Sequence, residues 1–282
     1  MVRWRGRQRS TNVEDRRGRG VGIAGGGIGI LVLLVLGLCF GVDPRALLQV
    51  AEQVDTSRPA APPPQPGEDP EADFAATILG TTEEVWSELF AARGATYRPP
   101  TLVLFTDIVR SGCGTASSQT GPFYCPLDQK VYLDLGFFRE LARMGGAGDF
   151  AAAYVIGHEV GHHVQNLSGT SDEVRRMQER AGQAEANALS VRLELQADCY
   201  AGVWAARANE SGSFLEPGDV DEGLDAAAAI GDDRLQRNAG RAVQPESFTH
   251  GSSAQRQQWL RAGLESGEPE TCDTFDGTVA LR

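Results

Sequence analysis

The chain has 282 residues, 41% of them hydrophobic and 23% charged, with 5 cysteines and 4 histidines. That is apolar material for one good-sized core with appendages, and the composition excludes a disordered or fibrous chain. A formal net charge of −12 argues against a protein that coats itself in cations to hold nucleic acid, so no nucleic-acid partner is expected.

The charge is unevenly spread. Residues 1–20 carry Arg3, Arg5, Arg7, Arg9, Arg16, Arg17 and Arg19 against only Glu14 and Asp15, a basic tip on an acidic body. Residues 21–42 follow without a single charge, a length that spans the hydrocarbon core as a helix. Arginines before this stretch and Asp43 after it predict a single-pass transmembrane helix with a cytoplasmic N-terminus. A cleaved signal peptide fits poorly, because Phe40-Gly41-Val42 is a weak cleavage site, and Leu38 before Cys39 fits a lipoprotein signal no better. The expected location is therefore the cytoplasmic membrane, with everything after residue 42 outside the cytoplasm. Residues 43–72 contain Pro59, Pro62, Pro63, Pro64, Pro66 and Pro70 and read as an extended juxtamembrane spacer. The body is then residues 73–282.

The body opens with an amphipathic helix from about Asp73, through Ile78, Val85, Trp86, Leu89 and Phe90, ending before Gly94. Two strand-like runs follow at 101–105 and 130–135; the second alternates apolar and polar residues and is a candidate edge for an extended substrate. Helices are then expected over 149–166, 170–180, 183–209, 219–230 and 253–264, with Thr170 and Glu173 as a capping box. Asp232 and Asp233 read as an exposed acidic pair at a helix end. Four of the cysteines, Cys113, Cys125, Cys199 and Cys272, lie in the body, and an even number in an oxidising compartment suggests disulfides. Cys113 and Cys125 bracket a Gly/Ser-rich loop and pair locally, which leaves Cys199 for Cys272; four cysteines allow three pairings, and this one rests on proximity in sequence.

Residues 158–162 read His158-Glu159-Val160-Gly161-His162. Histidines at i and i+4 share one helical face, so both imidazoles can reach one zinc ion. Glu159, next to the first ligand, is placed to act on a water as general base. Ala152, Ala153, Ile156 and Val160 mark the helix as buried, where unpaired polar groups are costly and metal ligation would account for them. A catalytic zinc takes a third protein ligand. His163 faces elsewhere, and the candidate is Glu194, with Asp198 one turn on to bond a ligand histidine's second nitrogen. His250, in a Ser/Thr/Gly-rich loop, is a candidate donor to an oxyanion, or a loop histidine without a role.

HEVGHH with a downstream ELQAD resembles the gluzincin class. NVEDRR (12–17), GCGTASSQTGPFYCPLDQKVYLD (112–134), HEVGHHVQ (158–165), ELQADCYAG (194–202), AIGDDRLQ (229–236) and THGSSAQR (249–256) resemble, more specifically, the bacterial membrane-anchored neutral zinc metallopeptidases. That resemblance implies a zincin-like α+β fold, mostly helical with a small sheet behind one transmembrane helix. It also implies Zn2+ and peptide-bond hydrolysis through a zinc-bound water, with a peptide or protein of the cell envelope as substrate. Two other readings stay open: a zinc amidase acting on cell-wall peptides, and a non-catalytic zinc-binding envelope scaffold. An intact Glu159 disfavours the scaffold, because metal binding alone does not need that carboxylate.

Overall fold

Asp69 sets where the body begins to coil. In the computed structural model, which describes residues 1–18 and 67–275, its side chain accepts from the backbone N–H groups of Glu71 and Ala72 at the start of α1 (Pro70–Ala92). Proline at that end costs nothing, since its missing N–H has no intrahelical partner there. α1 buries Phe74, Ile78, Leu79, Val85, Trp86 and Leu89.

A small mixed sheet follows, in the order β1 (Val13–Asp15), β2 (Thr101–Leu104), β6 (Lys130–Leu133), β5 (Phe123–Cys125). β1 and β6 both run parallel to β2, and β5 runs antiparallel to β6. β6 is thus flanked on both sides, so the expectation that it offers an edge to substrate fails. A separate hairpin, β3 (Ile108–Ser111) with β4 (Gly114–Ser117), carries Cys113 in its turn. Cys113 is bonded to Cys125, and Cys199 to Cys272.

The rest is helical: α2 (Phe137–Arg143), α3 (Asp149–Leu167), α4 (Thr170–Gln178), α5 (Gln183–Gly212), α6 (Asp219–Ala229), α7 (Asp232–Asn238) and α8 (Ser253–Ser266). α3 is buried on nearly every side and packs on α5, which packs on α8. Glycine sets both approaches. A Cβ on Gly161 of α3 would lie 2.9 Å from the Ala197 carbonyl oxygen of α5, and one on Gly263 of α8 would lie 2.0 Å from the Cys199 carbonyl oxygen. The capping box expected at Thr170 does not form. Gly169, at φ 79°, turns the chain straight from α3 into α4 without a side-chain cap, and Thr170 is buried against Ser168. The capping box belongs to Ser252 and Gln255 at α8 instead.

The expected membrane topology is overturned. Among the described residues no helix is long and apolar enough to cross a membrane; residues 21–42, and the spacer as far as residue 66, lie outside the described residues. The segment expected to be a cytoplasmic tip is built into the body. β1 pairs with β2 residue for residue, from Val13 on Leu102 to Asp15 on Leu104. The Val2 N–H bonds Asp149, Ser10 N–H bonds the Ala76 carbonyl, and Trp4 packs edge-on against Phe74. Strand pairing and apolar packing of this kind cannot form across a bilayer. Several of the arginines read as a positive flank have carboxylate partners here: Arg3 with Glu216, Arg9 with Asp73, Arg17 with Asp69; Arg7 instead bonds the Gly212 carbonyl and Arg5 lies over the Trp4 ring. A single-pass arrangement with residues 1–20 on one side and the body on the other is therefore incorrect.

Candidate metal centre

α3 and α5 each present two polar residues one turn apart, and their close approach at Gly161 sets the pairs face to face. His158 and His162 have ring centroids 4.8 Å apart. His158 Nε2 lies 3.1 Å from Glu194 Oε2, and His162 Nε2 lies 3.4 Å from Glu194 Oε1. One ligand atom from each of the three residues lies within 4.8 Å of the other two. Two imidazoles and a carboxylate are a donor set that zinc accepts.

The second nitrogen of each histidine is committed elsewhere. His158 Nδ1 is 2.8 Å from Asp198 Oδ1; a carboxylate only accepts, so Nδ1 carries a proton, and Nε2 is the nitrogen that faces Glu194 and can give up its proton to a metal. His162 Nδ1 is 2.9 Å from Gln165 Oε1. Burial disfavours an imidazolium at His158, but the Asp198 and Glu194 carboxylates outweigh it and push its pKa up to about 10. His162 is raised in the same way, burial opposing and Glu194 prevailing. Burial would raise the Glu194 pKa, yet the two histidines hold it well below the usual carboxylate range. The pocket favours positive charge between its carboxylates, and a divalent cation brings that charge.

Asp198 is fully buried, and Arg256, 2% exposed, answers its charge through Nε at 2.9 Å and Nη2 at 2.8 Å. Tyr154 donates to the same carboxylate at 2.5 Å. Burial pushes Asp198 toward protonation, and the Arg256 and His158 charges reverse this, so its pKa is lowered. Neither Tyr154 nor Arg256 stood out in the sequence. Tyr154 lies one turn before His158 and was legible by the same i, i+4 spacing, whereas Arg256 sits on α8 without any periodic signal.

Glu159 is 7% exposed, and its carboxylate takes no part in the bonds that hold the histidines. His163 turns away, as expected: it bonds the Tyr124 hydroxyl and the Arg98 carbonyl, and burial pushes its pKa down to about 4. His250 is exposed and hydrogen-bonded to Thr249 and Asp232, not to the cluster, although the Glu194 charge reaches it. Asp232 and Asp233 are not the exposed pair expected. Asp232 Oδ2 accepts the backbone N–H groups of Thr249, His250 and Gly251, and Asp233 Oδ1 accepts the backbone N–H and the hydroxyl of Ser253. They begin α7 and clamp the loop that carries His250.

The family described as "Putative neutral zinc metallopeptidase" matches residues 2–275. The uncharacterized protein YpfJ of Escherichia coli (strain K12) is 46% identical over 293 aligned residues, covering 99% of this chain and 100% of that protein. The uncharacterized protein Rv2575 of Mycobacterium tuberculosis (strain ATCC 25618 / H37Rv) and Mb2605 of Mycobacterium bovis are each 41% identical over 257 residues, covering 84% of this chain and 84% of theirs. No solved structure matches the chain. The match begins at residue 2 and takes in the N-terminal strand as well as the His158–His162–Glu194 cluster, so the chain, as one unit, belongs to the neutral zinc metallopeptidase family.

Proposed function

We propose that His158, His162 and Glu194 hold a zinc ion and that the protein hydrolyses peptide bonds of a peptide or protein substrate. The observation that carries this reading is the convergence of two imidazole Nε2 atoms on one carboxylate, with both Nδ1 atoms committed elsewhere. When bound, zinc supplies Lewis acidity, which polarises a carbonyl and makes water easier to deprotonate. Glu159 accepts the proton of the attacking water at its carboxylate and returns it to the leaving nitrogen. Asp198, kept ionised by Arg256, holds His158 in one tautomer and one orientation. His250, its loop clamped by Asp232, supplies a donor to the developing oxyanion.

The test is turnover of casein or a quenched-fluorescence peptide library by the full chain, with zinc content measured in parallel. Glu159→Gln keeps size and hydrogen bonding but cannot take the proton; it should keep its zinc and lose at least about 10²–10⁴-fold in turnover. Equal rates for Glu159→Gln and wild type would contradict the mechanism. Zinc retained by both with no cleavage of any peptide would leave a metal-binding protein without this activity.

A further inference from the structure

Behind His162 a chain of amides runs across to the C-terminal segment. His162 Nδ1 meets Gln165 Oε1 at 2.9 Å. Gln165 Nε2 donates to the Leu193 carbonyl at 2.7 Å and to Gln196 Oε1 at 3.1 Å. Gln196 Nε2 donates to the Cys272 carbonyl at 3.0 Å. Both glutamines are fully buried.

Taken alone, each link is reversible, because an amide exchanges its donor and acceptor ends by a half-turn and an imidazole nitrogen serves as either. The far end removes that freedom. A backbone carbonyl only accepts, so Gln196 must offer Cys272 its NH2 and keep its oxygen for Gln165. Facing that oxygen and the Leu193 carbonyl, Gln165 must offer its own NH2, which leaves its oxygen for His162. His162 Nδ1 must then carry a proton, so the neutral imidazole that binds a metal has its lone pair on Nε2, beside Glu194.

The carbonyl that sets this direction lies in a short turn, Pro269–Cys272. The turn is fastened to α5 by the Cys199–Cys272 disulfide, one helical turn beyond Gln196 and next to Asp198. The two histidines are thus held by unlike means: His158 by a buried ion pair, His162 by neutral amides whose direction depends on a stapled carbonyl.

We propose that Gln165 and Gln196 are positioning residues, a directional relay that fixes His162 in its metal-binding tautomer, and that the Cys199–Cys272 disulfide is the relay's anchor. This rests on the zinc reading above and adds a dependence of that site on one of the two disulfides.

The test measures zinc dissociation constants by chelator competition on the full chain, well below melting, together with the melting temperature of the zinc-free protein. Methionine matches glutamine in length without its polar ends. Gln165→Met should weaken zinc binding by about 10–100-fold, and Gln196→Met, which touches no ligand, by about tenfold. Cys199→Ser/Cys272→Ser should weaken it in the same direction, while Cys113→Ser/Cys125→Ser loses stability but leaves zinc affinity unchanged. A purely structural role would lower melting temperatures and leave every dissociation constant alone. Should Gln196→Met fail to fold, the two disulfide pairs still decide. Zinc bound as tightly by Gln196→Met as by wild type, or equal affinity in both disulfide variants, overturns the relay while the zinc reading stands. A wild-type protein that takes up no zinc overturns the zinc reading itself.

Discussion

A carboxylate at 0% exposure needs its charge answered, and Asp198 has Arg256, Tyr154 and His158 around it. The spacing of His158, Glu159, His162, Glu194 and Asp198 was legible in the sequence, because i, i+4 pairs on apolar helices state which face they share. Arg256 was not legible, since a lone arginine on a polar-looking helix carries no sign that it will be buried. Its removal should be severe: Arg256→Met takes the guanidinium from Asp198 and should cost about 3–5 kcal/mol, the range for breaking one partner out of a buried ion pair. Urea denaturation of the zinc-free protein checks this, and a loss under 1 kcal/mol would mean that Tyr154 and His158 suffice.

At the level of elements, the long helices and the strands β2 and β6 were legible, and the other strands were not. α3 and α5 are long, periodic and closed by recognisable ends, so their positions follow from apolar spacing. β1, β3, β4 and β5 have three or four residues each, too few for a period to show, and they exist because neighbours pair with them. Gly161 shows how packing places the site. Its hydrogen atom faces the backbone of Ala197, between Glu194 and Asp198 on the α5 surface, and a methyl group there meets the carbonyl at 2.9 Å and the Cα at 3.0 Å. Gly161→Ala should push α3 from α5, costing about 1–3 kcal/mol as overpacked cores do, and should weaken zinc binding as Glu194 recedes. Unchanged melting and unchanged zinc affinity would show that the helices yield without moving the ligands.

For the whole molecule, the N-terminal segment is where sequence and structure part. Arginines ahead of an uncharged stretch satisfy the positive-inside pattern, but Arg3, Arg9 and Arg17 also satisfy carboxylates on an acidic body, and only the fold shows which. Glu14 on β1 joins the two parts, bonded by Arg16 at 2.9 Å and by Lys130 of β6 at 2.8 Å. The Arg16 guanidinium, with Lys130 and against partial burial, holds its carboxyl at about 2. A carboxyl whose pKa falls on folding stabilises the fold fully above its unfolded value near 4.5, and the contribution fades as pH drops toward 2. Hydrogen exchange over residues 13–15 should therefore be slower in wild type than in Glu14→Gln at pH 6, with the difference shrinking from about pH 4.5 downward. A difference that persists undiminished near pH 2, or is absent at pH 6, would contradict this pairing.

The zinc content of purified full-length protein, measured by elemental analysis for wild type and Glu194→Ala, tests the centre most directly. His158 and His162 remain in that variant, but the carboxylate on which both converge is gone. Wild type should carry one zinc per chain and Glu194→Ala little or none at the same protein concentration. Equal zinc in the two proteins would contradict the cluster as the metal site.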